Sequence, residues 1–68
     1  MSAAEDAEFS AKVSDAAMSD AIKSAVTRFG RVSYYHLTIE TARILGVGPS
    51  LAFRRSFWRN VGTLKEGS

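Results

Sequence analysis

Three arginines and a tryptophan stand close together in LGVGPSLAFRRSFWRNVG, residues 45–62. An arginine guanidinium is permanently charged and can donate two parallel hydrogen bonds to a phosphate or to the edge of a guanine base. Tryptophan and phenylalanine can instead fill a core or anchor a protein interface. Two alternatives follow: the arginines bind an anion such as nucleic acid, or they solvate a helix whose aromatic side chains are core.

The other side chains that could take part in catalysis or bind a metal do not form a catalytic or metal-binding set. His36, the only histidine, has no Cys, His or Asp at metal-ligand spacing, which favours a packing or surface role over zinc binding. Tyr34 and Tyr35 precede it without a third group to orient them. No nucleophile–base pair, paired carboxylates or phosphate loop stands out either. We therefore expect a protein that is not an enzyme and that needs no cofactor or metal.

Charge is distributed unevenly along the chain, although the net charge is only +2. Residues 1–27 carry five carboxylates and two lysines, whereas residues 28–68 carry six arginines and one lysine against two glutamates. Such an asymmetry suggests that the C-terminal part seeks an anion. The alternative is that opposite charges pair within the molecule or between subunits, which requires no other partner.

A chain of 68 residues can form one small domain, close to the lower limit for an independent core. It has no cysteine for disulfides or a thiolate metal site, so stability must come from helix packing, oligomerisation or both. The acidic N-terminus lacks the pattern of a signal peptide, and no apolar stretch is long enough to span a bilayer. We expect a single all-α domain over residues 1–68, located in the cytoplasm and without a membrane partner.

The N-terminal segment, residues 1–30, is predicted to be helical and amphipathic. Ser2 and Glu5 have the spacing of a capping box, and Gly30 suits a helix C-terminus. The pattern does not decide between one long helix and two helices that meet near Ser19.

This segment carries an apolar stripe with two alternative roles. The stripe, at helical spacing, consists of Met18, Ile22, Ala25, Val26 and Phe29. It either covers the small core of the C-terminal helices or packs against a second copy of the chain in a homodimer. The candidate partner or dimer contacts are therefore Met18, Ile22, Val26, Phe29 and, from the C-terminal region, Trp58.

The sequence RVSYYHLTIE, residues 31–40, gives mixed signals. Its alternating β-branched and aromatic side chains would suit a strand, but no second strand is evident to pair with it. Ser33 and Thr38 could each cap a helix. We predict a short helical turn or connector, followed by a helix IETARIL that Thr38 caps.

Two helices joined by a Gly-containing turn are predicted over residues 38–63. The first ends at Gly46, and the sequence GVGP turns the chain. The second spans residues 50–61, with Pro49 at a first-turn position and Gly62 at its end. Two helices across such a turn form the helix-turn-helix unit, whose second helix enters the DNA major groove.

Three residues suit the corner of this unit physically. Ala42 is small enough to let the helices approach each other. Gly46 tolerates a left-handed backbone, and Val47 fills the corner between the helices.

A helical wheel of residues 50–61 separates core from surface. The predicted core line consists of Phe53, Phe57 and Val61. Trp58 lies on the same broad apolar arc, with Leu51 at its edge. The opposite arc consists of Arg55, Ser56, Arg59, Asn60 and Ala52. Arg54 points into the apolar sector, so it either extends its head to solvent or lies where the helix meets something other than its own core.

The segment IETARILGVGPSLAFRRSFWRNVGT resembles the second helix-turn-helix of AraC-type transcription regulators. The positions that match the family pattern, without insertion or deletion, are Ala42, Gly46, Val47, Phe53, Phe57, Arg59 and Gly62. The resemblance covers residues 38–63. The sequence departs from the family pattern at Leu51, where a polar side chain that contacts bases is common, and at Trp58, where the family usually has a lysine or arginine.

The resemblance implies that Phe53 and Phe57 are core and that the early exposed positions of the second helix face bases and phosphates. With the remaining arginines added for phosphate attraction, the candidate DNA-binding residues are Arg43, Ser50, Leu51, Arg54, Arg55 and Arg59. Arg54 and Arg55 are the best candidates for a bidentate guanine contact.

Two functions are consistent with these residues. The first is a small transcription regulator that inserts helix 50–61 in the major groove of double-stranded DNA, as a homodimer because one such unit buries little surface. The alternative is a small helical protein-binding adaptor, anti-activator or phage-type inhibitor. It would use the Arg/Trp-rich helix as its contact surface, since those residue types dominate interface hot spots.

Overall fold

The chain folds into four α-helices: α1, Ser2–Lys12; α2, Asp15–Phe29; α3, Tyr34–Leu45; and α4, Leu51–Gly67. The computed structural model describes the backbone of residues 2–67 and the side chains of residues 4–66. No strand occurs in the described backbone, and the predicted all-α fold is confirmed. The side chain of Ser2, which the predicted capping box requires, lies outside the described side chains.

The first two helices are separated at Val13 and Ser14. Ser14 has extended backbone angles, and its hydroxyl accepts a hydrogen bond from the N–H of Ala17 at 3.1 Å, which starts α2. A break near Ser19 is therefore wrong, because Ser19 lies inside α2. Its hydroxyl donates to the side chain of Asn60 on α4 at 2.9 Å instead of capping a helix.

Helix α3 begins earlier than the sequence predicted. The hydroxyl of Ser33 accepts a hydrogen bond from the N–H of His36 at 3.2 Å and is the N-cap. Thr38, predicted as the cap, is buried inside the helix and donates its hydroxyl to the carbonyl of Tyr34 at 2.7 Å. Both residues can cap, and the early start is favoured because it places Leu37 in the core. Part of the predicted connector is thus the first turn of α3.

The turn between α3 and α4 has the left-handed glycine predicted for it, but the two helices contact each other little, so the predicted close approach at Ala42 is not seen. Gly46 adopts a left-handed conformation with φ 70° and ψ 32°, which glycine accepts without strain. Its N–H and that of Val47 both bond to carbonyls in the last turn of α3. Ala42 is buried, and Val47 packs against the core.

Helix α4 starts after Ser50, whose hydroxyl accepts a hydrogen bond from the N–H of Phe53 at 3.2 Å. Pro49 lies in the turn and not in the first helical turn. The prediction that Gly62 ends the helix is wrong, since α4 continues past it. The extra turns bring Leu64 against the core, and this packing outweighs the low helix propensity of one glycine.

Gly62 offers a way to stabilise the domain. It is exposed, and a Cβ built on it would meet no atom within 4 Å apart from its chain neighbours and the backbone of its own helix. Replacing it with alanine is expected to raise the free energy of unfolding by about 0.5–1 kcal/mol, because alanine loses less backbone entropy in a helix. Urea denaturation followed by circular dichroism measures the change. The control is Gly46→Ala, which is expected to destabilise because φ is positive there. A lower unfolding free energy for Gly62→Ala would contradict a continuous α4.

Helix α2 is the central element of the fold. It packs against both α3 and α4, whereas α3 and α4 contact each other little, and α1 packs against α4. The rings of Phe9 and Phe53 pack nearly perpendicular to each other, with centroids 6.1 Å apart, which fixes α1 to α4. The buried apolar core consists of Phe9, Val13, Met18, Ile22, Ala25, Leu37, Ala42, Phe53, Phe57 and Val61.

The buried side of α4 is shifted from the predicted one. The apolar line of Phe53, Phe57 and Val61 is buried as expected. Ser56 and Asn60, predicted on the solvent side, are also buried, at 4% and 5% exposure. They face inward because α1 and α2 cover that side of the helix.

Asn60 can be buried because its side-chain amide is fully used. Its Nδ2 donates to the carbonyl of Ser56 at 2.8 Å and to the carboxylate of Asp15 at 3.2 Å, and its Oδ1 accepts from Ser19. A wheel that counts polar side chains as surface cannot anticipate such a network.

Candidate nucleic-acid interface

One face of α4 is exposed along its first turns, and we call it the α4 outer face. It consists of Leu51, Arg54, Arg55, Trp58 and Arg59. These positions follow helical spacing, so the side chains project from one side of the helix. The face follows directly after the left-handed turn at Gly46. The structure therefore brings five predicted contact residues together, from both the DNA-binding and the partner groups.

Arg54 is solvent-exposed and lies beside apolar side chains, which agrees with its predicted place on the wheel. None of the ion pairs between described side chains involves Arg54. It borders a groove between α3 and α4, whose lining consists of Tyr35, Thr38, Ile39, Pro49, Arg54 and Trp58. This guanidinium is thus positioned beside aromatic and apolar surface without a carboxylate to neutralise it.

The other two arginines of the α4 outer face pair with carboxylates from the N-terminal half. Arg55 donates to Asp6 of α1 at 3.1 Å, and Arg59 donates to Asp15 of α2 at 2.8 Å. The uneven charge distribution therefore produces pairing within the molecule, one of the two alternatives that the sequence left open. Exposed pairs of this kind are weak and sensitive to salt, so they do not prevent an exchange of partners.

The pair at Asp15 is held by two donors. The guanidinium of Arg59, followed by the side-chain amide of Asn60, keeps the pKa of Asp15 below its ordinary value of 3.8. Asp15 also lies in the first turn of α2, where a negative charge is favoured by the helix dipole.

This lowered pKa makes the stability of the domain depend on pH. The ionised carboxylate of Asp15 favours the folded state, so its contribution is complete above 3.8 and is lost as the pH falls through the lower folded value. We expect Asp15→Asn to flatten the loss of unfolding free energy below about pH 4, measured by urea denaturation across the acid range. Asp20→Asn, which removes an exposed carboxylate outside the described ion pairs, is the control. An unchanged acid slope in Asp15→Asn contradicts this assignment.

Trp58 is a surface residue, at 48% exposure, and not part of the core. Its ring packs nearly perpendicular to that of Phe57 and tilted against that of Tyr34 of α3, with ring centroids 5.2 Å apart in each pair. Tyr35, adjacent in sequence, is 75% exposed and lines the same groove as Trp58. Sequence reasoning missed this aromatic surface because the tyrosines were placed in a connector and not at the start of α3.

Two predicted DNA-binding residues lie apart from the α4 outer face. Arg43 is exposed on α3 and pairs with Glu40 at 3.4 Å. It borders a different groove, together with Phe29 and Ile44. The hydroxyl of Ser50 is occupied by the cap of α4.

The apolar stripe of α2 is divided between core and surface. Met18 and Ile22 are buried in the chain's own core, at 0% and 3% exposure, so their assignment as partner contacts is corrected. Val26 and Phe29 remain 47% and 41% exposed. The N-terminal part of the stripe thus packs into the core, and its C-terminal part is exposed to solvent.

In comparisons with known proteins, no family model, curated protein or solved structure matches this chain. The described residues contain no group of His, Cys, Asp or Glu that could hold a metal ion. None of the described helices is long and apolar enough to cross a membrane. None of these comparisons supports the resemblance to AraC-type regulators, which stays a prediction from residues 38–63.

Proposed function

We propose that the protein binds double-stranded DNA through the α4 outer face and acts as a small transcription regulator. The observation that carries this proposal is the position of Arg54, Arg55 and Arg59 on one exposed face of the helix that follows the left-handed turn at Gly46. Helix-turn-helix proteins present the helix after such a turn to the major groove.

The exposure of α4 supports this interpretation. The two helices on either side of the turn contact each other little, and both rest on α2. The α4 outer face is exposed over its first turns, with Asp6 of α1 at one edge beside Arg55 and Tyr34 of α3 at the other beside Trp58. A helix has to be accessible in this way to enter a groove about 12 Å wide.

Charge supports a phosphate contact. Arg54 has no carboxylate partner among the described ion pairs, and Arg55 and Arg59 are held only by exposed pairs. Phosphates near these guanidinium groups would replace the carboxylates, with release of counterions from the DNA. The first twenty-seven residues are acidic, which explains why the whole chain has a low net charge although this face is basic.

Binding to random duplex DNA tests the proposal. Isothermal titration calorimetry at about 50 mM and about 200 mM salt is expected to show binding at low salt that weakens at the higher concentration, as phosphate contacts require. No binding at low salt would contradict DNA binding. Single-stranded DNA of the same length is the control, because a major-groove contact requires the duplex.

Tight binding to an operator would require two copies of the chain, since one helix-turn-helix buries little surface. Val26 and Phe29 are the members of the predicted dimer stripe that remain exposed. Sedimentation equilibrium of the wild type and of Val26→Asp tests this step. A monomer in both samples, with and without DNA, would contradict a dimer formed through this stripe.

A second function is favoured by one specific observation, the half-exposed Trp58 beside Tyr34, Tyr35 and Arg54. Tryptophan, tyrosine and arginine are the residues most enriched in protein-interface hot spots. If duplex DNA does not bind, this surface becomes the contact of a protein adaptor or inhibitor. Trp58→Ala is then expected to abolish capture of a partner while the circular dichroism spectrum stays unchanged.

A further inference from the structure

We propose that α1 competes with DNA phosphates for the arginines of the α4 outer face and so limits nucleic-acid binding. This inference rests on the proposed function and adds a regulation of the same site. It starts from the ion pair between Asp6 of α1 and Arg55 of α4, with 3.1 Å between the charged atoms.

The position of α1 is fixed by packing and not by charge alone. Phe9 and Val13 are buried in the core, and the Phe9 ring contacts Phe53 on the inner side of α4. The backbone of α1 is therefore held beside α4, and the carboxylate of Asp6 reaches Arg55 from this anchored helix. Because the carboxylate is delivered by a packed helix, its local concentration at Arg55 is high.

Two more carboxylates of α1 lie near the amino end of α4. Glu5 and Glu8 border a cleft together with Lys12 of the same helix and with Ser50 and Leu51, the first residues of the predicted contact helix. The amino end of a helix carries partial positive charge and favours an anion, whether a carboxylate or a phosphate. Lys12 offsets one of the two carboxylates, so α1 contributes a net negative charge to this cleft, where the DNA backbone would approach.

These carboxylates act on DNA binding in two ways. Asp6 has to release Arg55 before this guanidinium contacts a phosphate, and Glu5 and Glu8 repel phosphates near the start of α4. The exposed pairs are weak enough to be exchanged, so α1 lowers the affinity and does not abolish it. Loss of the negative charge on α1 is expected to increase the affinity for DNA.

The test compares two substitutions that change the net charge equally. Asp6→Asn removes the partner of Arg55, whereas Asp20→Asn removes an exposed carboxylate of α2 outside the described ion pairs. Affinity for a random duplex is measured by calorimetry across a range of salt. Asp6→Asn is expected to bind more tightly than Asp20→Asn, with the slope of log affinity against log salt steeper by about 0.9, the value for one additional phosphate contact.

A double-mutant cycle separates a specific release of Arg55 from a general change in charge. In the Arg55→Ala background, Asp6→Asn is expected to have no more effect than Asp20→Asn. Equal effects of the two substitutions in the wild-type background would overturn the competition, while the DNA-binding proposal stands. Absence of DNA binding by the wild type and by all variants would overturn the proposed function and the competition with it. Circular dichroism confirms that each variant is folded.

Discussion

Replacing Phe53 with alanine is expected to lower the free energy of unfolding by about 3–5 kcal/mol, the usual cost of removing a buried aromatic ring. The ring of Phe53 is fully buried. It packs against the rings of Phe9 of α1 and of Phe57, with ring centroids 6.1 Å and 5.9 Å apart. A domain of this size has a total stability of about 3–10 kcal/mol, so much of the variant is expected to be unfolded at room temperature.

Urea denaturation followed by circular dichroism at 222 nm, the usual helix signal, measures this effect. Leu51→Ala is the matched control, because it removes an apolar side chain from the exposed face of the same helix and is expected to change stability by less than about 0.5 kcal/mol. An unfolding midpoint for Phe53→Ala equal to that of Leu51→Ala would contradict the packing of α1 and α4 around this ring.

Replacing Arg54 with alanine is expected to have the second largest effect, on DNA binding. If Arg54 contacts a guanine edge, the loss is about 1–3 kcal/mol of binding free energy, or about 5- to 150-fold in affinity. If it contacts a phosphate, the loss is similar for all sequences and the salt slope falls by about one. Calorimetric titrations at several salt concentrations separate the two kinds of contact.

Two further variants make this prediction specific. Lys23→Ala removes one positive charge from α2, outside α3 and α4, and is expected to affect binding much less. Arg54→Lys keeps the charge but loses the planar pair of donors, so this variant is expected to retain a phosphate contact and to lose a bidentate guanine contact. Equal losses for Arg54→Ala and Lys23→Ala would show that only the total charge matters.

Much of the fold could be predicted where the sequence pattern and the packing of the helices favour the same structure, as in the apolar line of α4 and at the glycine that ends α3. The core line of Phe53, Phe57 and Val61 follows helical spacing and is buried. Gly46 was expected to adopt a left-handed conformation, and it does, because only a residue without Cβ takes this geometry without strain.

The errors lie where several residues are locally equivalent. Ser14 and Ser19 are both suitable caps, as are Ser33 and Thr38, and tertiary packing selects one of each pair. The burial of Asn60 depends on partners in α2, far away in sequence. No pattern within α4 could reveal these contacts.

The candidate site was only partly predictable from residue types. The arginines of α4 were recognised, and pairing within the molecule was one of two alternatives for the charge distribution. Which carboxylate meets which arginine depends on how α1 and α2 pack against α4, as for Asp6 with Arg55. The aromatic surface around Trp58 depends on the early start of α3, which brings Tyr34 close to it.

Trp58 also gives the protein a built-in optical probe. It is the only tryptophan, it is half exposed at the centre of the α4 outer face, and its ring lies 5.2 Å from that of Tyr34. Energy transfer from Tyr34 to Trp58 weakens as the two rings move apart, so tyrosine emission will rise relative to tryptophan emission when α3 and α4 lose this arrangement. A ligand on the α4 outer face will shift or quench the emission of Trp58. The fluorescence of the unlabelled protein therefore reports both folding and occupancy of this face.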